Sequence, residues 1–213
     1  MKAFLTLILV LSLALVSSSQ SSFEGIMDLV RTTKIDTTTY KYYVKNNMIR
    51  IEEINGDKQV EGIMLIDIKN KKLFAMSPIR KLYYEIPFKQ ANIENLKDKI
   101  EIEKRQNKKT IAGYECVQWI VKNQTENTVI SYWVVPSGFN FFKDFLITLN
   151  RKDKIPSYFL QISDIQGVIS LSSTERTMLR DFVSSLDVTN ITTKKLPDNL
   201  FNIPSDYKEF VRK

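Results

Sequence analysis

Short runs of alternating apolar and polar residues fill most of the chain after residue 22, and each run ends at a cluster of Asn, Gly, Asp, Pro or Lys. A period of two is typical of antiparallel strands, because successive side chains of a strand point to opposite faces of the sheet. The pattern predicts strands over residues 23–33, 40–44, 48–52, 59–67, 72–76, 80–86, 100–104, 110–122, 129–135, 157–163, 167–172 and 186–193.

Three segments depart from this alternation. Residues 139–149 place apolar side chains at i, i+3 and i+4, which predicts a short helix. Residues 88–98 are polar with a weak helical period, which fits either a short helix or a loop. Residues 196–204 are rich in turn formers, and we expect this tail to pack Leu200, Phe201 and Ile203 against the sheet.

Several predicted strands are apolar on both faces; in residues 63–66, for example, every side chain is apolar. A sheet with one face in water would carry polar residues on that face. The pattern therefore predicts a mainly β fold, either a curved antiparallel sheet or half-open barrel with one or two short helices, or a sandwich of ordinary packing. In the curved alternative the inner face is covered by a helix, by a ligand, or by both.

Residues 1–20 have the pattern of a secretory signal peptide: Lys2 is basic, residues 4–16 form an almost unbroken apolar run, and residues 17–19 are small. The apolar stretch is shorter than the roughly 20 residues that cross a bilayer. We therefore expect an exported chain with a single β-rich domain over residues 21–213, periplasmic or secreted, and soluble once the leader is cleaved.

The composition narrows the chemistry. The chain has no histidine, which excludes Ser–His and Cys–His nucleophile pairs and removes the commonest metal ligand. Its one cysteine, Cys116, cannot form an internal disulfide. Glycine-rich phosphate loops and metal-ligand spacings are missing as well. We expect no catalytic residue, no metal, no cofactor and no enzymatic activity, since hydrolysis by carboxylates alone needs two acidic side chains across a cleft.

The formal net charge of +7 favours anionic surfaces, including peripheral contact with a membrane, although a modest surplus is also ordinary for a soluble domain. Nucleic acid is not an expected partner, because the sequence contains no arginine-rich block.

Aromatic residues and methionine supply the candidate site. Methionine adapts its shape to varied apolar partners, and the aromatic side chains offer large apolar surfaces. On one hypothesis a ligand groove is lined by Met27, Met64, Met76, Trp119, Trp133 and Phe142. The alternative is that these six side chains belong to an ordinary core.

Four segments, 42–52, 76–87, 110–116 and 198–207, together resemble an exported bacterial family known as domain of unknown function 4412. The resemblance implies a LolA/LolB-like fold, a half-open antiparallel barrel with short helices on its concave side, and it implies no catalytic residues. The expected function is a non-enzymatic binding or carrier protein for a hydrophobic ligand, a lipid or an acylated protein, in the cell envelope. The alternative is a structural or protein-interaction module whose partner is an envelope protein.

Overall fold

The computed structural model describes residues 23–89 and 100–211. The strands in these ranges are β1 (Gly25–Thr33), β2 (Thr37–Lys45), β3 (Met48–Ile54), β4 (Val60–Asp67), β5 (Lys72–Ser77), β6 (Leu82–Ile86), β7 (Glu101–Ile111), β8 (Tyr114–Asn123), β9 (Thr128–Val135), β10 (Ile169–Arg176), β11 (Phe182–Thr193) and β12 (Lys208–Glu209). Two helices, α1 (Phe141–Leu149) and α2 (Lys154–Phe159), separate β9 from β10, and a 3₁₀ turn occupies Asp198–Phe201.

All twelve strands belong to one open, curved sheet with the order β12-β6-β5-β4-β3-β2-β1-β11-β10-β9-β8-β7. Strands β1 to β6 form one antiparallel meander, and β7 to β11 form a second. The two meanders join at the centre, where β1 pairs with β11 and Gly25 lies opposite Thr193. The short β12 runs parallel to β6, so the sheet is mixed. The prediction of a mainly β, curved sheet with short helices is confirmed.

Most predicted strands and the predicted helix at residues 139–149 are present, but the strand predicted at residues 157–163 is wrong. Helix α2 occupies the first part of this segment and turns follow it. The buried side chains Tyr158, Phe159 and Ile162 continue from Ile155 at i, i+3, i+4 and i+7, which is helical spacing. Pro156 is compatible with this helix because it lies in the first turn, where its missing N–H is not needed.

The single strand predicted over residues 110–122 is also wrong, because a two-residue turn divides it between β7 and β8. Ile111 pairs with Tyr114 across the turn, and both Ala112 and Gly113 have positive φ, 47° and 86°. Two consecutive positive φ angles define the type I′ hairpin that suits the twist of antiparallel strands. Alanine is an uncommon residue in such a turn, so the local turn signal is weak at this point.

The apolar residues on the two faces of the sheet pack against different parts of the chain. The main core lies between the concave face and helices α1 and α2. A second cluster of Ile63, Leu65 and Met76 is covered by the C-terminal tail through Ile203 and Tyr207. Phe201 is buried as well, so the predicted packing of the tail against the sheet is confirmed.

The predicted leader at residues 1–20 lies outside the described residues, and so does most of the ambiguous segment 88–98. Within residues 23–89 and 100–211, neither helix has the length and hydropathy that a membrane-spanning helix requires.

Gly25 is needed where β1 meets β11. A Cβ at this position would overlap the carbonyl oxygen of Thr192 and would lie 3.1 Å from the Cα of Thr193. We expect Gly25→Ala to lower the free energy of unfolding by about 1–3 kcal/mol, as overpacking does, measured by urea denaturation. Gly62→Ala is the matched control, because no atom lies within 4 Å of its added Cβ and its effect should stay within about 0.5 kcal/mol. Equal effects of the two variants would contradict this assignment.

Candidate functional site: an apolar cavity under the helices

A cavity of about 300 Å³ lies between the concave face of the sheet and the two helices. Strands β2, β1, β11, β10 and β9 form its floor, and α1 and α2 form its roof. The wall is mainly apolar and aromatic and includes Met27, Leu29, Phe142, Phe145, Phe159 and Val188. Pockets for small ligands have volumes of about 300–1,000 Å³ and mainly apolar walls of this kind.

The cavity is closed at one end and open at the other. Met27, Ile169 and Val188 at the deep end are all at most 5% exposed. Along β1 the inward side chains continue to Arg31 and Thr33, which are half-buried and lead into the β1–β2 turn. Thr33 pairs with Ser184 of β11, so the mouth lies where these two strands meet their hairpin turns.

Charged side chains surround the mouth. The Arg31 guanidinium lies 3.5 Å from the carboxylate of Asp153, which joins the floor to the loop between α1 and α2. The side chains of this pair are 36% and 46% exposed, so the ion pair contributes little to stability. Arg151 also lines the mouth, and its guanidinium makes no hydrogen bond or ion pair with any residue that the structure describes.

Helix α2 is fixed to the sheet by polar contacts. The Tyr132 hydroxyl on β9 donates a 2.7 Å hydrogen bond to the carbonyl of Ile155. The Asn123 side chain donates to the Tyr158 hydroxyl at 3.0 Å, and that hydroxyl donates to Glu126 at 2.8 Å. Burial raises the pKa of both tyrosines, so they remain neutral donors at physiological pH. The roof of the cavity is therefore held in place at α2.

Tyr42 lies on the cavity wall, on β2 directly opposite Met27 of β1. Its ring lies 6.0 Å from the Phe145 ring in an edge-on arrangement. Burial raises the pKa of Tyr42 to about 12, and the positive charge of Arg151 partly opposes this shift. The Tyr42 hydroxyl is therefore a neutral hydrogen-bonding group beside the Arg151 charge.

The structure brings together two of the six side chains predicted to line a groove. Met27 and Phe142 lie on the cavity wall, on β1 and α1. Trp119 and Met64 belong to or pack against the main core, away from the cavity, and Met76 lies in the second cluster under the tail. Trp133 alternates along β9 with the wall residue Tyr132, so its side chain points to the opposite face, where Lys109 lies 5.7 Å above the ring.

Sequence reasoning missed the polar residues of the mouth. For Arg31 a signal existed, since it follows Met27 and Leu29 at two-residue intervals and therefore points to the same face of β1. A charged residue in an inward-facing position is unusual unless it serves a site or has a partner. Arg151 follows the end of α1, and no local pattern places its side chain beside a cavity.

The polar residues of the cavity wall do not form a metal-binding cluster. Within the described ranges, no three or more His, Cys, Asp or Glu side chains cluster in a way that could hold one. Asp153 and Glu175 are the carboxylates of the cavity wall. Asp153 pairs with Arg31, and Glu175 accepts a 3.2 Å hydrogen bond from the Ser184 hydroxyl.

Solved structures with the same fold are known, all at low identity. An uncharacterized conserved protein from Thermus thermophilus aligns with a TM-score of 0.54 and 9% identity over 91% of this chain and 93% of that chain. The Pseudomonas aeruginosa MucA/MucB complex gives a TM-score of 0.53 at 10% identity over 88% of this chain and 57% of that one. The crystal structure of MucB gives 0.51 at 8% identity, over 86% and 58%. This chain therefore spans a little over half the length of MucB, and the likeness concerns the fold.

At the sequence level, the model of the family described as "Domain of unknown function (DUF4412)" matches residues 23–207. No protein of curated function matches the sequence. The family match includes all four segments that carry the resemblance at residues 42–52, 76–87, 110–116 and 198–207.

Proposed function

We propose, since this chain belongs to the DUF4412 family and encloses an apolar cavity, that it is an exported, non-enzymatic binding or carrier protein for a hydrophobic ligand in the cell envelope. The ligand is an amphiphile whose acyl chain occupies the cavity. A free lipid and the lipid chain of an acylated protein share this chemistry.

The cavity is the observation that supports this proposal. Its volume of about 300 Å³ is about twice that of an engineered 150 Å³ apolar cavity that binds benzene. Each methylene group of a chain that enters such a space contributes about 0.8 kcal/mol of transfer free energy. The wall is already formed, so little conformational ordering opposes binding.

The distribution of polar groups orients the ligand. The deep end is apolar and buried, while Arg31 and Arg151 lie at the mouth. A chain that enters with its methyl end first leaves its polar head beside a guanidinium that has no ion-pair partner among the described residues. Guanidinium binds carboxylate and phosphate groups with paired hydrogen bonds, which favours an anionic head.

The interactions of the two carboxylates on the cavity wall also support binding rather than catalysis. Asp153 and Glu175 already interact with Arg31 and Ser184. A pair of carboxylates that cleaves a substrate needs one free base and one protonated acid across a cleft. Each carboxylate has a polar partner in the wall, and neither is a buried, unpartnered acid of the kind that such a mechanism uses.

The direct test is ligand binding by the exported protein purified from the envelope. Native mass spectrometry should reveal a bound lipid or acyl chain, and a fluorescent long-chain fatty acid should bind with one site per molecule. Addition of unlabelled palmitate should displace the probe. A protein that carries no lipid and leaves the probe fluorescence unchanged at micromolar concentrations would contradict the proposal.

Arg151 should distinguish anionic from neutral heads. We expect Arg151→Gln to weaken palmitate binding about five- to tenfold, which corresponds to about 1–1.4 kcal/mol for one half-buried, charge-assisted contact. Binding of palmitate methyl ester should not change, because the ester carries no charge. Lys152→Gln is the matched control, since this neighbour is exposed and does not line the cavity. If the variant lost the same affinity for palmitate and for its methyl ester, Arg151 would not recognise the charged head group.

A second candidate function is the binding of a protein partner. It is favoured by the likeness in fold to MucB, which is solved in complex with MucA. On this alternative, native mass spectrometry of the envelope fraction should show one stoichiometric protein partner and no lipid. Recovery of lipid with the purified chain would favour the first candidate.

A further inference from the structure

The most exposed large apolar side chains of the described residues lie at the tips of hairpins. Ile35 is 96% exposed, Leu179 is 84% exposed and Ile79 is 80% exposed. Ile35 lies in the β1–β2 turn, Leu179 in the β10–β11 turn and Ile79 in the β5–β6 turn. Met178, next to Leu179, is exposed too. Single exposed apolar residues are ordinary, but a set with one location suggests a contact surface.

The topology places the three tips at one end of the sheet. In a meander, alternate turns lie at the same end, so the turns after β1, β3 and β5 lie together. The β10–β11 turn lies at this end too, because β11 pairs antiparallel to β1 and Thr33 lies opposite Ser184. The turns at the other end, such as Asn46–Asn47 and Ala112–Gly113, do not carry such residues in the described chain.

This end is also the end at which the cavity opens. Thr33 and Ser184 line the mouth and lie next to the Ile35 and Leu179 turns in the chain. The β5–β6 turn lies four strand spacings from β1, about 19 Å along the sheet. We call residues 34–36, 78–81 and 177–181 the mouth rim.

Basic residues adjoin each apolar tip of the mouth rim. Lys34 precedes Ile35, Arg180 follows Leu179, and Arg80 follows Ile79, and all three basic side chains are exposed. Residues 31–36, 124–127, 151–154 and 175–182 around the mouth carry seven basic and five acidic side chains. The acidic ones are engaged locally: Asp153 with Arg31, Glu126 with Lys154, and Asp36, Glu175 and Asp181 in hydrogen bonds.

We propose that the mouth rim docks on the surface of an anionic phospholipid bilayer, with Ile35, Leu179 and Ile79 inserted among the head groups and Lys34, Arg180 and Arg80 against the phosphates. Stable attachment of this type needs two weak signals, apolar insertion and basic charge, and the mouth rim supplies both. The inference rests on the proposed function in one respect: docking turns the cavity mouth toward the membrane, so an amphiphile passes from bilayer to cavity with little exposure to water.

Apolar side chains alone would equally suit a protein partner. The adjoining cations favour the bilayer, because each apolar tip has its own exposed basic neighbour and the mouth is continuous with an acyl-sized cavity. An apolar side chain with a basic neighbour at each of three turns fits the uniform surface of an anionic bilayer.

The test is flotation of the purified exported protein with vesicles. Vesicles of phosphatidylglycerol and phosphatidylcholine in equal parts should bind the protein, and pure phosphatidylcholine should bind it weakly. The double variant Ile35→Ser with Leu179→Ser should lower the partition coefficient on the mixed vesicles about tenfold or more. The variant Lys34→Ser with Arg180→Ser should lower it by about fivefold per charge at low salt and should have no effect on pure phosphatidylcholine.

The control variant is Phe210→Ser with Val211→Ser, which removes two exposed apolar side chains outside the mouth rim. It should bind vesicles like the unmodified protein. Unchanged partitioning of the Ile35/Leu179 variant, or an equal loss in the control, would overturn the docking surface, and so would failure of the unmodified protein to bind any vesicle. Displacement of the fluorescent fatty acid in the absence of vesicles measures ligand binding by the cavity alone. The mouth-rim variants should bind the fatty acid like the unmodified protein. A rim that docks on vesicles while the cavity binds no fatty acid would contradict the proposed function and not the docking.

Discussion

Leu29→Trp should abolish most ligand uptake while the protein stays folded. Leu29 lies on the cavity floor, and an indole ring at this position extends into the space of about 300 Å³. A ring that displaces about four methylenes of an acyl chain removes about 3 kcal/mol of binding free energy, because each buried methylene contributes about 0.8 kcal/mol. We therefore expect the affinity for palmitate to fall by about a hundredfold, measured by displacement of the fluorescent fatty acid.

The same variant separates a cavity from a closely packed core. In a packed core the added ring would overfill the site and destabilise the protein by about 1–3 kcal/mol. In an open cavity the ring enters free space and the urea midpoint changes little. Leu29→Met, which nearly conserves volume, is the control and should keep both stability and binding. A large loss of stability together with unchanged binding would contradict the assignment of this space to a ligand.

Phe139→Ala should produce a larger loss of stability than the other substitutions proposed for this chain. Phe139 is 2% exposed and contacts three aromatic rings, with centroid distances of 5.1 Å to Phe23, 5.6 Å to Tyr114 and 6.4 Å to Phe141. It thereby joins the start of β1, the start of β8 and the first turn of α1. Removal of a buried phenyl ring costs about 3–5 kcal/mol, and we expect the free energy of unfolding in urea to fall by this amount.

Phe210→Ala is the matched control for the loss of a ring, because Phe210 is 52% exposed. Its effect should stay within about 0.5 kcal/mol. Phe139 does not line the cavity, so a Phe139 variant that is still folded at low temperature should bind palmitate normally. A similar small effect for both phenylalanines would show that the aromatic cluster contributes little to the fold.

The sequence predicted most strands because their signals are local. The run from Ile49 to Glu52 alternates between apolar and polar residues and Asn46 and Asn47 precede it, and the structure has β3 at Met48–Ile54. Helix α1 was predictable for the same reason, since its apolar residues repeat with a helical period. The errors at residues 110–122 and 157–163 occurred where the local signal was weak or ambiguous, at an Ala–Gly turn and at a short apolar run.

The site was less predictable because its wall depends on strand order. Met27 and Val188 face one cavity only because β1 pairs with β11, and a period of two cannot reveal which strands are neighbours. Trp133 has the same local pattern as a wall residue, but it lies one position out of register with Tyr132. The six aromatic and methionine candidates were chosen by residue type, and two of them line the cavity.

The pairing of β1 with β11 has a consequence for the order of events during synthesis. Its hydrogen-bonded ladder joins residue 25 to residue 193, so the floor cannot be completed until residue 193 has been made. Contacts so distant in sequence form slowly, since a long loop must close before they contribute. The ladders within each meander join neighbouring segments of the chain and can form earlier, so the cavity floor is closed only after its two halves.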